Sequence, residues 1–390
     1  MDITFNKTDK ELIILAPERI DTTNANEVDV KINEILSTQG DGLPLVIDCS
    51  NLTYISSVGL RVVLKIKKVQ DNLRLVCVSS EVYDIFSMTG FTEIIDVEKA
   101  LREISIEGCP IIGEGYYGKV YRLSPDTIVK HYFRGNPVDD IERERNNAKT
   151  AFLLGIPTAI SYDVVKIKEG GYGAVYECID AKSLKSLIEE NPEKLEDYEN
   201  IIANLLRQLN RTKVVGTDLP SAKKVAYAWA DEIKGFFDPE INSKIIMLID
   251  SIPNDDYLVH GDCHVKNIFL LNGEAILIDM DSLSVGHAIF EYNSLFQTYV
   301  AYEEDDPGNL ERFFGLKGEV CNKLFYNVLR KVYSDKNDEE YQDILDKISC
   351  LSYIHFLAKI IRNHQDTPAR VTHTIEKIKK YCSELFTLAY

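Results

Sequence analysis

The chain is predicted to fold as a compact α/β domain followed by a bilobal α+β domain, the first lobe rich in strands and the second mostly helical. Three observations predict it. Strand and helix patterns alternate through the first hundred residues. A G-x-G-x-x-G-x-V run beginning at Gly113 lies between two strand-like segments. A His-Gly-Asp run at 260–262 and an Ile-Asp-Met-Asp run at 278–281 flank a short hairpin pattern.

In the first domain, Asp2-Ile3-Thr4-Phe5 and Leu12-Ile13-Ile14-Leu15 read as strands, and Asn26 to Leu36 has helical spacing. Pro44-Leu45-Val46-Ile47-Asp48 and Leu73-Arg74-Leu75-Val76-Cys77-Val78 are short apolar runs of the kind that form buried strands. A helix is expected to start near Ser57-Val58-Gly59-Leu60 and another to run from Ser80 to Met88. The passage from Ala100 to Ile104 into Glu107-Gly108-Cys109-Pro110 combines a charge shift with Gly/Pro punctuation, which sets a boundary at about 103/104.

The strand-rich lobe is expected over 104–180. Gly113, Gly115 and Gly118 let backbone N–H groups approach phosphate closely, and Val120 follows them on a strand. A strand, not a helix, follows the glycines, so this is not the dinucleotide fingerprint. Lys130 ends the apolar Ile128-Val129-Lys130, where a point charge reaches the α and β phosphates. A helix beginning near Val138 offers Glu142 and Glu144 as partners for Lys130, and Glu144 is preferred. Ala174 to Ile179 reads as the strand entering an adenine-binding hinge, with the backbone around Glu177 and Ile179 bonding the base.

The helical lobe, 181–390, carries the chemistry. Transferring a phosphoryl group requires divalent cations held against the nucleotide and a group that orients the attacking hydroxyl, a task for carboxylates and amide oxygens. Asp262, in His260-Gly261-Asp262-Cys263-His264-Val265-Lys266-Asn267, is the catalytic base. Asn267 offers a neutral oxygen to Mg²⁺. The hairpin with Asn272-Gly273 at its bend returns Asp279 beside Asn267, so both grip metal. His260 orders the loop and does not react.

These motifs resemble the aminoglycoside phosphotransferase and choline kinase group of protein-kinase-like enzymes over about residues 106 to 390. The resemblance implies Asp262 as base, Asn267 and Asp279 as Mg²⁺ ligands, Lys130 as phosphate anchor and Glu144 as its partner, with ATP, or GTP, as donor. Where relatives show G-x-P-x-x-D, this chain has Gly286 to Glu291, with Ala288 for proline and Glu291 for aspartate. The support of the catalytic loop is therefore expected to differ in detail. The first 103 residues resemble the STAS domain of anti-sigma-factor antagonists through Ile47 to Leu60. That likeness implies a protein partner and places Ser57 where the family carries a phosphorylated serine. The helix start tolerates added negative charge, though serine also caps helices unmodified. Ser56 stands where the regulated relatives carry aspartate, and Val58 where they often carry a hydroxyl.

A net charge of −18 excludes nucleic acid and anionic membranes as main partners and favours a cationic or neutral small-molecule substrate. The eight cysteines are scattered singly with no C-x-x-C pair, as expected of reduced thiols. With no signal-like start and no long apolar run, the chain is expected in the cytoplasm. The acidic run Glu303-Glu304-Asp305-Asp306 reads as a solvated turn, or as an entrance for a cationic substrate. Three functions follow: a kinase of a small hydroxyl compound with a regulatory STAS domain, a kinase of a STAS serine (Ser57 or that of a partner), or a nucleotide-binding interaction protein. The intact set of Lys130, Asp262, Asn267 and Asp279 argues against the last.

Overall fold

The computed structural model describes residues 3–40, 42–115, 118–133 and 138–390. Asp2 of the first expected strand and Tyr116 and Tyr117 of the glycine-rich turn lie outside the described residues. The chain divides into two compact units, which meet in sequence at Ile104/Ser105.

The first unit is a five-stranded sheet in the order β1 (Phe5–Lys7), β2 (Leu12–Leu15), β3 (Leu45–Asp48), β4 (Arg74–Val78) and β5 (Asp96–Lys99). Only β1 runs antiparallel to its neighbour. Helices α1 (Ala25–Gln39), α2 (Ser57–Val69) and α3 (Ser80–Met88) supply the crossovers that parallel strands need. Leu12, Ile14, Leu45, Ile47 and Leu75 pack with Val28, Val63, Ile66 and Phe86 into one buried core. Ser56, and not Ser57, caps α2: its hydroxyl accepts the Gly59 N–H at 3.4 Å, while Ser57 is exposed in the first turn.

Gly59 is required by packing. A Cβ there would stand 2.5 Å from the Ile20 carbonyl oxygen and 2.7 Å from Ile55 Cγ1. Gly59→Ala is expected to cost about 1–3 kcal/mol of first-unit stability. Calorimetry of the full chain checks this, and an unchanged transition would refute the packing argument.

In the second unit, β6 (Ile111–Glu114), β7 (Gly118–Arg122), β8 (Thr127–Tyr132), β9 (Ser161–Ile167) and β10 (Tyr172–Glu177) pair antiparallel in the order β9-β10-β8-β7-β6. Lys130 lies on the central strand, opposite Val120 on one side and Ala174 on the other. Helix α4 (Val138–Leu153) covers this sheet, burying Ile141, Glu144, Ala148 and Ala151 at helical spacing. The short β11 (Lys182–Ser183) opens a lobe of helices: α5 (Leu184–Glu190), α6 (Leu195–Leu209), α7 (Ala222–Ile233), α8 (Pro239–Asp250), α9 (Ile289–Phe296), α10 (Tyr302–Asp305), α11 (Asn309–Phe313), α12 (Gly318–Val332), α13 (Asp338–Arg362) and α14 (Pro368–Glu384). Between α8 and α9 run β12 (Tyr257–Val259), β13 (Ile268–Leu271), β14 (Glu274–Leu277) and β15 (Ser284–Gly286). The β13–β14 hairpin turns at Asn272 and Gly273, both at positive φ, and β12 pairs with β15.

The acidic run is neither a solvated turn nor an open entrance. Glu303 accepts the Gly308 and Leu310 amides at the start of α11, at 2.6 and 3.0 Å. Asp305, its side chain almost fully buried, faces Arg370 at 3.4 Å and His373 at 3.5 Å on α14. Asp306 pairs with Arg312 at 2.6 Å. These carboxylates hold helices together. All eight cysteines are free thiols. Among the described residues no helix is long and apolar enough to cross a membrane.

Candidate active site

Lys130 is the meeting point of the two lobes. Its ammonium lies 2.7 Å from Glu144 Oε1 and 3.0 Å from Asp279 Oδ1. Glu142 instead pairs with Arg145, at 2.9 Å, because it faces away from the sheet. Burial pulls the Lys130 pKa down, but the carboxylates of Asp279 and Glu144 outweigh it and hold the amine above its ordinary range. Burial raises the Asp279 carboxyl, and Lys130 more than offsets that, leaving it below the usual range. Two tyrosines that the sequence did not reveal complete the pocket. Tyr132 donates to Glu144 Oε2 at 2.7 Å and Tyr176 donates to Oε1 at 3.4 Å. On the same helix, Asn147 donates to the Met280 carbonyl at 3.0 Å, which ties α4 to the segment carrying Asp279.

With Lys130 removed, Glu144 keeps only hydroxyl partners in a buried setting. Lys130→Met is therefore expected to cost about 3 kcal/mol of stability, and adding Glu144→Gln to recover a large part of it. Strict additivity of the two changes in denaturant unfolding would contradict the pairing.

The catalytic-loop residues are set by backbone bonds. Gly261 takes φ 76, and a Cβ there would approach the Ser282 carbonyl oxygen to 3.1 Å. Asp262 N–H donates to His260 Nδ1 at 3.1 Å, so that nitrogen is unprotonated and Nε2 carries the proton toward the Ile278 carbonyl at 3.1 Å. Burial lowers the His260 pKa, in keeping with a neutral ring that orders the loop. Asn267 Nδ2 donates to the Asp262 carbonyl at 3.0 Å and to its Oδ2 at 3.1 Å. Its Oδ1 is thereby turned away from Asp262. The Ile278 N–H bonds the Asn267 carbonyl at 2.9 Å, so the hairpin brings Asp279 next to Asn267 in space. Asp279 itself takes φ 65, a strained conformation for a non-glycine residue. An amide oxygen and a carboxylate in adjacent positions suit Mg²⁺, which binds few protein oxygens and completes its shell with phosphate and water.

Glu291 underlies the loop. Fully buried at the start of α9, its Oε2 accepts the His260 N–H at 2.6 Å and the Gly261 N–H at 3.2 Å. The replacement of aspartate thus keeps a carboxylate under the loop. Ala288 holds φ −55, a value proline also adopts. Ser294 on the same helix donates to the Gly261 carbonyl, and Tyr299 accepts the Val265 N–H at 2.9 Å.

The glycine positions differ in need. A Cβ at Gly118 would lie 2.1 Å from the His131 carbonyl oxygen, whereas Gly113 has ordinary clearance from Val120 and Gly115 faces open space. At the hinge, the Glu177 N–H already donates to the Ile160 carbonyl and the Cys178 N–H to that of Asp126, each at 2.8 Å. The Glu177 amide is therefore not available to donate to a base. Ile179 lies just beyond the strand.

A strand-rich lobe carrying a lysine–glutamate pair, joined to a helical lobe carrying Asp262, Asn267 and Asp279, defines a kinase-like phosphotransferase. The chain belongs to the phosphotransferase enzyme family, whose profile matches residues 109–319. A STAS domain matches residues 2–104. That part is 33% identical over 103 residues to BtrV of Bordetella bronchiseptica, a candidate anti-sigma factor antagonist, covering 25% of this chain and 85% of that protein. Similar solved structures include aminoglycoside phosphotransferase APH(4)-Ia, at 12% identity and TM-score 0.49, covering 70% of this chain and 93% of that one. A choline/ethanolamine kinase family protein from Mesorhizobium loti matches at 11% identity and TM-score 0.46, covering 70% and 91%.

Proposed function

We propose that the second unit transfers the γ-phosphoryl group of ATP, with GTP as the alternative donor, to a hydroxyl of a small molecule, and that the STAS domain regulates or docks it. The single observation that carries the reading is the convergence of Lys130, Glu144 and Asp279 beside the Asp262–Asn267 pair. Lys130 anchors the α and β phosphates, under a cover formed by Gly113, Gly115, Gly118 and Val120. The Ile179 amide bonds the base. Asn267 and Asp279 hold Mg²⁺, which neutralises charge on the phosphates when bound. Asp262 accepts the hydroxyl proton as the acceptor oxygen bonds the γ-phosphorus and the bond to the bridging oxygen breaks, releasing ADP.

One observation favours a second reading, phosphorylation of a STAS serine. Ser57 is exposed and the capping role belongs to Ser56, so the Ser57 hydroxyl is not committed to the cap. Labelled ATP and GTP with Mg²⁺, offered to the wild type and to Asp262→Asn and Ser57→Ala, separate the two. Asp262-dependent transfer to one of a panel of sugars, amino alcohols and hydroxy acids supports the first. Label on the protein that is lost in both variants supports the second. No turnover in either arm defeats both and leaves a nucleotide-binding interaction protein.

A further inference from the structure

We infer that His264 is a positioning residue for the transfer step: it engages the Oδ2 oxygen of Asp262, so that Oδ1 is the oxygen that faces the acceptor hydroxyl and takes its proton; this rests on the kinase reading above. The two oxygens of that carboxylate stand in different surroundings. Oδ2 accepts the Asn267 Nδ2–H at 3.1 Å and lies 3.5 Å from His264 Nε2. Among the described residues nothing donates to Oδ1, and the Asp262 side chain is 37% exposed. A carboxylate oxygen offers two lone pairs, and Oδ2 has two donors beside it. The proton of an acceptor hydroxyl must arrive at an oxygen with a free lone pair, which is Oδ1.

The imidazole is seated for this contact. The His264 N–H donates to the Asp262 carbonyl at 2.9 Å, and the His264 carbonyl accepts the Asn267 N–H at 2.8 Å, so the three residues close on one another through the backbone as well. The ring meets Phe314 edge-on, with centroids 5.2 Å apart and planes at 86°. Phe314 in turn packs on Tyr299 at 5.8 Å, and the Tyr299 hydroxyl accepts the Val265 N–H at 2.9 Å. One aromatic cluster therefore holds both the ring and the loop backbone beside it. Nδ1 of His264 is buried and has no hydrogen-bond partner among the described residues. A proton there would be a buried donor without an acceptor, and it would leave the Nε2 lone pair beside a carboxylate, so in the neutral ring the proton sits on Nε2. Phenylalanine would pack on Phe314 without burying a lone nitrogen. What the imidazole adds is the Nε2–H beside Oδ2, and that contact accounts for a polar ring in this place. Of the two histidines in the 260–267 run, His260 orders the backbone, and His264 acts on the side chain of the base.

The test follows transfer from labelled Mg·ATP to water, which stands in for an acceptor not yet identified, and measures nucleotide affinity beside it in the full chain. His264→Phe keeps a ring against Phe314 and removes the donor, and His264→Gln restores an N–H near the same position. The phenylalanine variant is expected to lose about 10- to 100-fold in kcat with KM for ATP within about threefold of wild type, and the glutamine variant to recover most of that loss. In an Asp262→Asn background, His264→Phe is expected to change the residual rate by less than about twofold, because no proton-accepting oxygen remains to be aimed. A merely structural role would lower the rate alike in both backgrounds. Retained nucleotide binding reports that each variant is folded, and His264→Leu takes the place of the phenylalanine variant if that one is not. A kcat within about twofold of wild type for His264→Phe, an equal fall in the Asp262→Asn background, a glutamine variant no better than phenylalanine, or a loss that appears in KM would each overturn the inference. Wild-type protein that binds nucleotide yet transfers phosphate neither to water nor to any compound of the panel would instead defeat the kinase reading, so the two failures are distinguishable.

Discussion

Asp262→Asn is expected to lower phosphoryl transfer by about 10²–10⁴-fold while leaving nucleotide affinity within a few-fold of the wild type. The asparagine keeps the size of the side chain and an oxygen for the Asn267 amide, but it cannot take the proton from the acceptor hydroxyl. The loop itself is held by bonds that the substitution does not touch: the Asp262 N–H to His260, the Asp262 carbonyl to Asn267, and Glu291 beneath. Lys130 and Asp279, 3.0 Å apart, are likewise unaffected. Single-turnover transfer and equilibrium nucleotide binding, measured side by side, check both halves. Transfer retained within tenfold would remove Asp262 from the role of base. An equal collapse of nucleotide binding would mean that the side chain serves the metal or the fold. Asn267→Ala is the contrasting case, because it removes the brace on Asp262 together with a metal oxygen, and it is expected to weaken both.

The site was legible where local rules set the geometry. Asn-Gly specifies a tight hairpin, and with Ile268 paired to Leu277 across it, Asp279 must return to Asn267. The choice of Glu144 over Glu142 follows from helical period, since Ile141, Glu144, Ala148 and Ala151 share the buried face. Contacts between distant segments were not legible. Tyr132 and Tyr176 looked like ordinary strand residues, and only the pairing of β8 with β10 puts both hydroxyls on Glu144. The acidic run at 303–306 gave no sign of its partners because Arg370 and His373 lie more than sixty residues downstream. Charge counted along the chain cannot report which charges are paired in space.

Glu291 is expected to give the protein a pH-dependent stability that Glu291→Gln removes. Burial pushes its carboxyl up to about 7 from an ordinary value of 4.5, against the opposing pull of the His260 and Gly261 amides. The folded chain therefore binds this proton more tightly than the unfolded chain does. The contribution is fully present below pH 4.5 and is lost as the pH rises through about 7, amounting to about 3 kcal/mol over that window. Glutamine keeps one oxygen for the two loop amides and carries no titrating proton. The difference in unfolding free energy between Glu291→Gln and wild type should thus vary with pH across this range and flatten outside it. Glu291→Ala removes the acceptor as well, leaving two buried N–H groups without a partner at a cost of about 1–3 kcal/mol each. Because those amides flank Asp262, the alanine variant is expected to lose at least 100-fold in transfer, with the glutamine variant retaining most of it. Urea unfolding from pH 4 to 8, run beside transfer assays at pH 7, tests the argument. A pH-independent difference for Glu291→Gln would show that the carboxyl stays ionised beneath the loop, and equal activity in both variants would show that its oxygen does not position Asp262.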